Sequence, residues 1–422
     1  MKIGFFTDGY LPEPNGVAEN VATSAKALEN LGHIVYIVAP KHPNFTDKNP
    51  RIFRLRSVRV YKNPEFRMAV PVPERDFREA SKIDFDIIHG HAGGPVAFLG
   101  FEIARRKNIP YVFTYHTLWN RYTHYILKGK ILTPKMMEVA SRVFCNLCSA
   151  IIAPTQRVKK ELESYSVRKP IYVIPGGIEI SRFKNTKKGF LRNKFNILDQ
   201  DKILLYVGRL GKEKSVDFLI ESFQQITKEI KNVKLVIVGD GPERNNLEKL
   251  TKKLSLKKEV VFAGFIGRED IPRVYADADL FVFASTTETQ GLVVSEALAS
   301  GVPCVVIDDP AFEGIVAKRY NGLVTKNTVE DFSTQVIRLL KDMKLISKFS
   351  ENSKNFASTN LTAKKQAEEL IKVYRSAIRL NKLKKTQTQI LKERFSTIKN
   401  FLNINQKLAS FKQVFIKGLE IK

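Results

Sequence analysis

The sequence is poor in the residues that would staple or anchor a chain. Its 422 residues include only three cysteines, Cys145, Cys148 and Cys304. Three thiols make no disulfide framework, and their scarcity fits a reducing compartment. Cys145 and Cys148 form a CxxC, but a structural zinc site needs two more ligands and none stands nearby. Their spacing puts both on one helix face, as buried thiols. No run approaches the roughly 20 apolar residues of a membrane-spanning helix. The sequence enters a strand-like run at Ile3 without an apolar leader core. The expectation is a cytoplasmic protein whose membrane contact, if any, is peripheral, on the inner face of the cell membrane. Acidic residues are also scarce: 43 Asp and Glu stand against 70 Lys and Arg, a net charge of +27. That excess calls for an anionic partner such as nucleic acid, an acidic membrane or a phosphorylated substrate, or else serves solubility alone. A basic nucleic-acid-binding protein is one reading of the charge, but the chain lacks a reading motif and RNP-type interleaving of aromatic and basic residues. Nucleic acid is therefore not expected as the partner.

What is present is enough for sizeable cores, since 43% of the residues are hydrophobic, and the length suits two or three domains. Short apolar runs recur at Ile3–Thr7, Ile34–Ala39, Asp86–His89, Tyr111–His116, Ala150–Pro154 and Ile171–Pro175. A second series follows at Ile203–Val207, Leu235–Val238, Val260–Ala263, Leu280–Ala284, Pro303–Ile307 and Leu323–Thr325. Helical patterns such as Val17–Leu31, Val216–Glu229 and Asn245–Leu254 separate them. Strands alternating with helices predict parallel sheets covered on both faces. The fold class is therefore α/β, with two doubly wound Rossmann-like domains facing across a cleft. The expected domains are 1–178 and 179–363, with the boundary near Pro175-Gly176-Gly177 and a basic linker over Lys184–Lys194. A helix over 364–385 follows, free to return to the first domain, and then a basic tail over 386–422. From Asn381 to Lys422 ten Lys and Arg face two Glu, and Ile390, Phe395, Ile398, Phe401 and Leu402 recur at helical spacing. This tail reads as an amphipathic helix that lies on a membrane or packs on the body.

The densest chemistry lies in Glu288-Thr289-Gln290-Gly291-Leu292-Val293-Val294-Ser295-Glu296. A buried-strand run precedes it and a helical run follows. Glu288 thus falls in a strand-to-helix loop, with Glu296 about two turns into the helix at roughly 3.6 residues per turn. The first N–H groups of that helix, near Gly291 and Leu292, have no intrahelical partner and suit an anion such as a diphosphate. An acid, a phosphate cradle and a second acid in one short segment point to a nucleotide-sugar site.

Ligands of open α/β sheets bind at the carboxyl ends of the strands, which gathers further candidates into one cleft. Gly16, in Pro14-Asn15-Gly16-Val17, lets backbone approach a phosphate at a helix start, or is a plain turn. Arg209 and Lys214, in Gly208-Arg209-Leu210-Gly211-Lys212-Glu213-Lys214, can clamp a diphosphate, or are surface cations. Gly239, in Gly239-Asp240-Gly241-Pro242, marks a tight turn after a strand. His116 ends a strand, where an imidazole can bond a sugar hydroxyl or serve structure. His89 and His91 share a strand face without an evident third metal ligand. Asp277-Ala278-Asp279 is formally a DxD, but it precedes a strand and so lies at the wrong end of the sheet. No metal site and no cofactor are expected.

Together Glu288-x7-Glu296 with Gly291-Leu292, Gly208-Arg209-Leu210 with Lys214, Gly239-Asp240-Gly241-Pro242 and Pro14-Asn15-Gly16-Val17 resemble the retaining glycosyltransferases of family 4, which have the GT-B fold. The resemblance runs from Lys2 to roughly Arg379. The segment Tyr115-His116-Thr117-Leu118-Trp119-Asn120-Arg121-Tyr122-Thr123-His124-Tyr125-Ile126 is similar to the diacylglycerol α-glucosyltransferases of bacterial membranes. It departs from them at Asn120 and Arg121, where they commonly carry acids. The resemblance implies transfer of a hexose from a nucleoside diphosphate sugar to a lipid acceptor such as diacylglycerol at an anionic membrane surface. A polysaccharide or phosphoinositide-like acceptor is the alternative. It implies that Glu288 and His116 sit at the transferring sugar and that Glu296 holds the ribose. Arg209 and Lys214, with backbone at Gly16, Gly291 and Leu292, would hold the diphosphate, and Phe265 and Ile266 the base.

Overall fold

Thirteen short strands form two parallel sheets in the computed structural model, which describes residues 1–13, 15–60, 63–70, 75–121, 133–383 and 386. The first half supplies β1 (Lys2–Thr7), β2 (Ile34–Pro40), β3 (Ile52–Leu55), a separate antiparallel hairpin of β4 (Ser57–Val60) and β5 (Asn63–Ala69), then β6 (Ile87–His91), β7 (Tyr111–Thr114), β8 (Ala150–Ala153) and β9 (Ile171–Val173). The second supplies β10 (Lys202–Val207), β11 (Val233–Val238), β12 (Val260–Gly264), β13 (Leu280–Phe283), β14 (Cys304–Ile307) and β15 (Gly322–Thr325). The sheet orders are β3-β2-β1-β6-β7-β8-β9 and β12-β11-β10-β13-β14-β15. Both reverse direction beside their first strand, between β1 and β6 and between β10 and β13. Such switch points open a crevice at the carboxyl ends of the strands. Central strands are buried along nearly their whole length, as in the fully covered β13 and β14, which is why they read as unbroken apolar runs.

The chain crosses between the two domains twice, and the crossings lie side by side. Ile178 donates its N–H to the Leu361 carbonyl at 2.7 Å, and Ala363 returns an N–H to the Ile178 carbonyl at 3.0 Å. Gly177 is required there, because a Cβ would stand 2.5 Å from the Ala363 Cα. After this point the helix over 363–383 packs back on the first sheet, where Ala367, Leu370, Ile371 and Tyr374 join Ile3, Phe5 and Val21 in one core.

Two details differ from the pattern read in the sequence. β3 and the hairpin were not signalled, because Arg54, Arg56, Arg59 and Arg67 interrupt their apolar spacing. The stretch 184–194 is not all linker: Phe190–Phe195 is helical, with Leu191 fully buried. Asp277 fixes this helix by accepting the Leu191 N–H at 2.6 Å, while Asp279 accepts the Ile203 N–H at 2.8 Å. That structural use accounts for both acids of the apparent DxD. The three cysteines are buried free thiols. Among the described residues no helix is long and apolar enough to cross a membrane. The basic tail lies outside the described residues except for 386.

Candidate active site

The helix carrying the second glutamate runs from Leu292 to Ala299. Gly291 caps it in the left-handed region at φ 68°, a conformation that costs glycine little. The helix therefore starts where expected, and Glu296 stands on its second turn rather than two full turns in. Glu288 lies just ahead of the start, its carboxylate paired with the Lys214 ammonium. Both side chains are largely buried, at 14% and 16% exposure, so this pair is held firmly at the mouth of the helix.

Arg209 and Gly239 come together because their loops are knitted by backbone. Gly208 donates to the Val238 carbonyl at 2.9 Å, and Leu210 donates to the Asp240 carbonyl at 2.9 Å. Gly239 has φ 128°, and a Cβ on it would fall 1.9 Å from the Gly208 carbonyl oxygen, so only glycine fits. The hydroxyl of Tyr206, near the end of β10, donates to the Arg209 carbonyl at 3.1 Å. The neighbouring loop after β12 carries Phe265, exposed at 61%, and the buried Ile266. Gly239 also donates its N–H to the Gly264 carbonyl at 2.9 Å, tying that loop to the same rim.

The first domain closes on this rim. A Cβ on Gly16 would lie 3.6 Å from Leu292 Cδ1, so the first helix start meets the Leu292 helix start. Asn15 caps the Gly16–Asn30 helix, its Oδ1 accepting the Ala18 N–H at 2.9 Å. The Thr289 hydroxyl donates to the His116 carbonyl at 2.9 Å, and the Thr155 hydroxyl donates to the Thr289 carbonyl at 2.8 Å. The Gln290 amide bonds Gly176 twice, accepting its N–H at 2.6 Å and donating to its carbonyl at 3.0 Å. Arg157 pairs with Asp309 and also donates to the Thr286 carbonyl at 2.9 Å. These cross-cleft partners of the 286–290 loop were invisible in the sequence. Each is far from its mate along the chain, and none sits in a recognisable motif.

His116 is half-buried and belongs to a stack. Its Nε2 lies 3.0 Å from His91 Nδ1, and the two rings are nearly parallel. His89 lies beyond, between Thr114 and Tyr374, at 2.6 Å from each hydroxyl. A cavity of about 10 Å³, room for about one water, adjoins the three rings together with Asn20, Gln290 and Gln366. Burial lowers the His116 pKa to about 4, so its ring is neutral at physiological pH. Among the described residues no cluster of His, Cys, Asp and Glu could hold a metal ion.

Glu296 is set apart from Glu288. It lies beneath the helix start against Tyr275, whose hydroxyl is 3.0 Å from Glu296 Oε2. Burial pushes its pKa up to about 7, opposed by the Tyr275 hydrogen bond and by the charges of Arg182 and Arg268. Those arginines bear first on Glu19 of the first domain, which Arg268 pairs at 2.7 Å. Tyr275, Glu19 and Arg268 carried no signal in the sequence.

Two facing doubly wound sheets, with helix starts and cations converging on one cleft, define the GT-B class of glycosyltransferase. HepE of Anabaena in complex with UDP superposes with a TM-score of 0.68 at 20% identity, over 89% of this chain and 100% of that one. Sucrose-phosphate synthase from Thermosynechococcus elongatus gives 0.72 at 19% identity, over 90% and 100%. Likeness at this identity shows the fold alone. Residues 14–182 match the family model for Glycosyltransferase Family 4, and residues 187–356 that for Glycosyl transferases group 1. The alpha-monoglucosyldiacylglycerol synthase of Streptococcus pneumoniae is 35% identical over 335 residues, covering 76% of this chain and 74% of its own. That of Acholeplasma laidlawii is 30% identical over 368 residues, covering 84% and 92%. The chain belongs to glycosyltransferase family 4 and is a nucleotide-sugar-dependent hexosyltransferase.

Proposed function

We propose that the enzyme moves glucose from a nucleoside diphosphate sugar to the hydroxyl of a diacylglycerol-type lipid, with retention, at the cytoplasmic surface of a membrane. The observation that carries this reading is the likeness, over most of the chain, to two synthases named for that product. UDP is the donor nucleotide we favour, because a structural neighbour has been captured with UDP-glucose.

The chemistry needs charge stabilisation on the departing diphosphate, and only interactions that strengthen as the bond breaks raise turnover. In this reading Arg209, Lys214 and the free N–H groups at Gly291 and Leu292 supply it, at the positive end of the helix. Gly16 adds backbone from the facing domain. Glu288, oriented by Lys214, contacts the sugar hydroxyls. Glu296 accepts two hydrogen bonds from the ribose, and Phe265 and Ile266 border the base. A front-face attack, in which the leaving phosphate takes the acceptor proton, needs no protein nucleophile. The neutral His116 then serves the transferring sugar as a hydrogen-bonding group. No metal takes part, so chelators should leave turnover unchanged.

A matrix of donors and acceptors, read by product mass and by the anomeric coupling of the product, tests the proposal. A glucosyl diacylglycerol with α configuration is expected. Exclusive turnover of GDP-mannose, or of a polysaccharide or phosphoinositide-like acceptor, would replace it.

A further inference from the structure

The Pro134–Leu147 helix is built the wrong way out for a solvated surface helix. Its inner face is normal: Ser141 and Cys145 are buried, and the Ser141 hydroxyl bonds the Tyr115 hydroxyl at 2.7 Å. Its outer face carries Met136, Val139, Val143 and Leu147, exposed at 51%, 40%, 55% and 57%. These recur at spacings of three and four and so form one stripe, directly opposite the buried residues. Phe98 extends the stripe, 58% exposed and stacked on Phe144 of the same helix with ring centroids 5.5 Å apart. A contiguous apolar ridge of this kind marks an interaction surface, unlike single exposed apolar residues.

Cations outnumber acids on the two helices that build the ridge. Lys135 and Arg142 are exposed on one flank, with Glu138 the one acid of the helix, paired to Lys135 at 3.1 Å. The helix that bears Phe98 ends in Arg105, Arg106 and Lys107, with Glu102 paired to both arginines at 2.8 and 2.6 Å, which leaves a net positive end. A molecule of net charge +27 presents this ridge to its surroundings. Apolar side chains rimmed by cations match the layering of an anionic bilayer, in which acyl chains lie beneath negative headgroups.

We propose that the outer face of the Pro134–Leu147 helix, with Phe98, is the surface that docks the enzyme on anionic lipid. The proposal rests on the lipid acceptor inferred above and gives that site its access. Tyr115 precedes His116 directly, so the Ser141–Tyr115 bond joins the docked helix to the strand end that borders the transferring sugar. An acceptor dissolved in the bilayer then reaches the cleft without leaving the membrane.

The test compares full-length enzyme with Met136→Glu/Val143→Glu, both positions being exposed. Flotation uses vesicles of phosphatidylglycerol and phosphatidylcholine, and of phosphatidylcholine alone. The wild type should bind the anionic vesicles, and the variant about tenfold more weakly. Transfer to a short-chain diacylglycerol in solution should be equal for both, which separates the outcomes. Loss of soluble transfer in the wild type would indict the acceptor assignment, whereas undiminished vesicle binding by the variant would overturn the docking surface. A polarity-sensitive dye on Val143→Cys checks the occupant. A blue shift only on adding anionic vesicles supports the proposal. A dye already shielded without vesicles overturns it, in favour of the chain's own tail if concentration has no effect and of a second copy if shielding grows with concentration.

Discussion

The Thr289 hydroxyl donates to the backbone carbonyl of His116 across the cleft, at 2.9 Å. The residue next to Glu288 is thereby tied to the strand end that carries the candidate catalytic histidine. Thr289→Val keeps the shape and removes one hydrogen bond, worth about 1 kcal/mol net. We expect kcat to fall about fivefold, with the thermal midpoint nearly unchanged. Steady-state kinetics beside a melting curve checks this, and unaltered kcat would mean the contact does not serve turnover.

Arg157 and Asp309 join the two domains through a pair that is 8% and 10% exposed. Asp309→Ala leaves the guanidinium buried with the Thr286 carbonyl but without its counter-charge. Breaking one side of such a pair costs about 3–5 kcal/mol, with the remaining bond favouring the lower end. Arg157→Met/Asp309→Leu removes both charges and should recover most of that loss. Urea unfolding of the three proteins distinguishes the cases. Equal destabilisation by the single and double variants would show that packing, not the orphaned charge, sets the cost.

The architecture was legible because each central strand is covered on both faces and so reads as an apolar run bounded by turns. All six expected runs of the first half and all six of the second coincide with strands. β3 and the β4–β5 hairpin escaped because arginines such as Arg54 serve local bonds there, in this case with Asp47 at 2.7 Å and the Pro40 carbonyl at 2.8 Å. At the cleft, the glycines and Glu288-x7-Glu296 could be read because close backbone approach and a helix start demand particular residues at fixed spacing. Gln290 and Gly176, or Tyr275 and Glu296, could not. Gln290 meets Gly176 only once the two crossings at Ile178 and Ala363 have set the domains against each other, and Tyr275 meets Glu296 only once two helices of the second domain have packed side by side.

If Glu296 holds the ribose as proposed, it couples protons to both stability and donor binding. Its folded pKa of about 7 lies above the ordinary 4.5, because burial disfavours the carboxylate. The folded enzyme therefore holds a proton that the unfolded chain has lost, and this contribution to stability fades as pH rises from about 4.5 through 7. Glu13, also raised to about 7, adds a slope of the same sign, so only part of it belongs to Glu296. A bound ribose, donating two hydroxyls, favours the carboxylate instead. UDP binding should strengthen from pH 6 to pH 8 and release protons at pH 6. Calorimetry in buffers of different ionisation enthalpy reads that release. Glu296→Gln should bind more weakly and lose the proton release. Retained release would place the coupling on another group.

Arg209 gives the sharpest test of the diphosphate assignment, because backbone bonds hold its loop in place. Backbone bonds from Gly208 to Val238 and from Leu210 to Asp240 hold the loop, and Leu210 is fully buried beside it. Arg209→Ala should accordingly fold normally. Preorganised charge at the leaving group acts mostly in the transition state, so kcat/KM should drop by about 10²-fold or more. Lys214→Met is a less clean probe, since it also releases Glu288 from its ion pair and so disturbs the proposed sugar contact. The two variants should therefore differ in kind. Arg209→Ala should weaken UDP binding and turnover alike for any hexose, while Lys214→Met should in addition relax discrimination among donor sugars. Near-normal turnover by Arg209→Ala would remove the guanidinium from the diphosphate site.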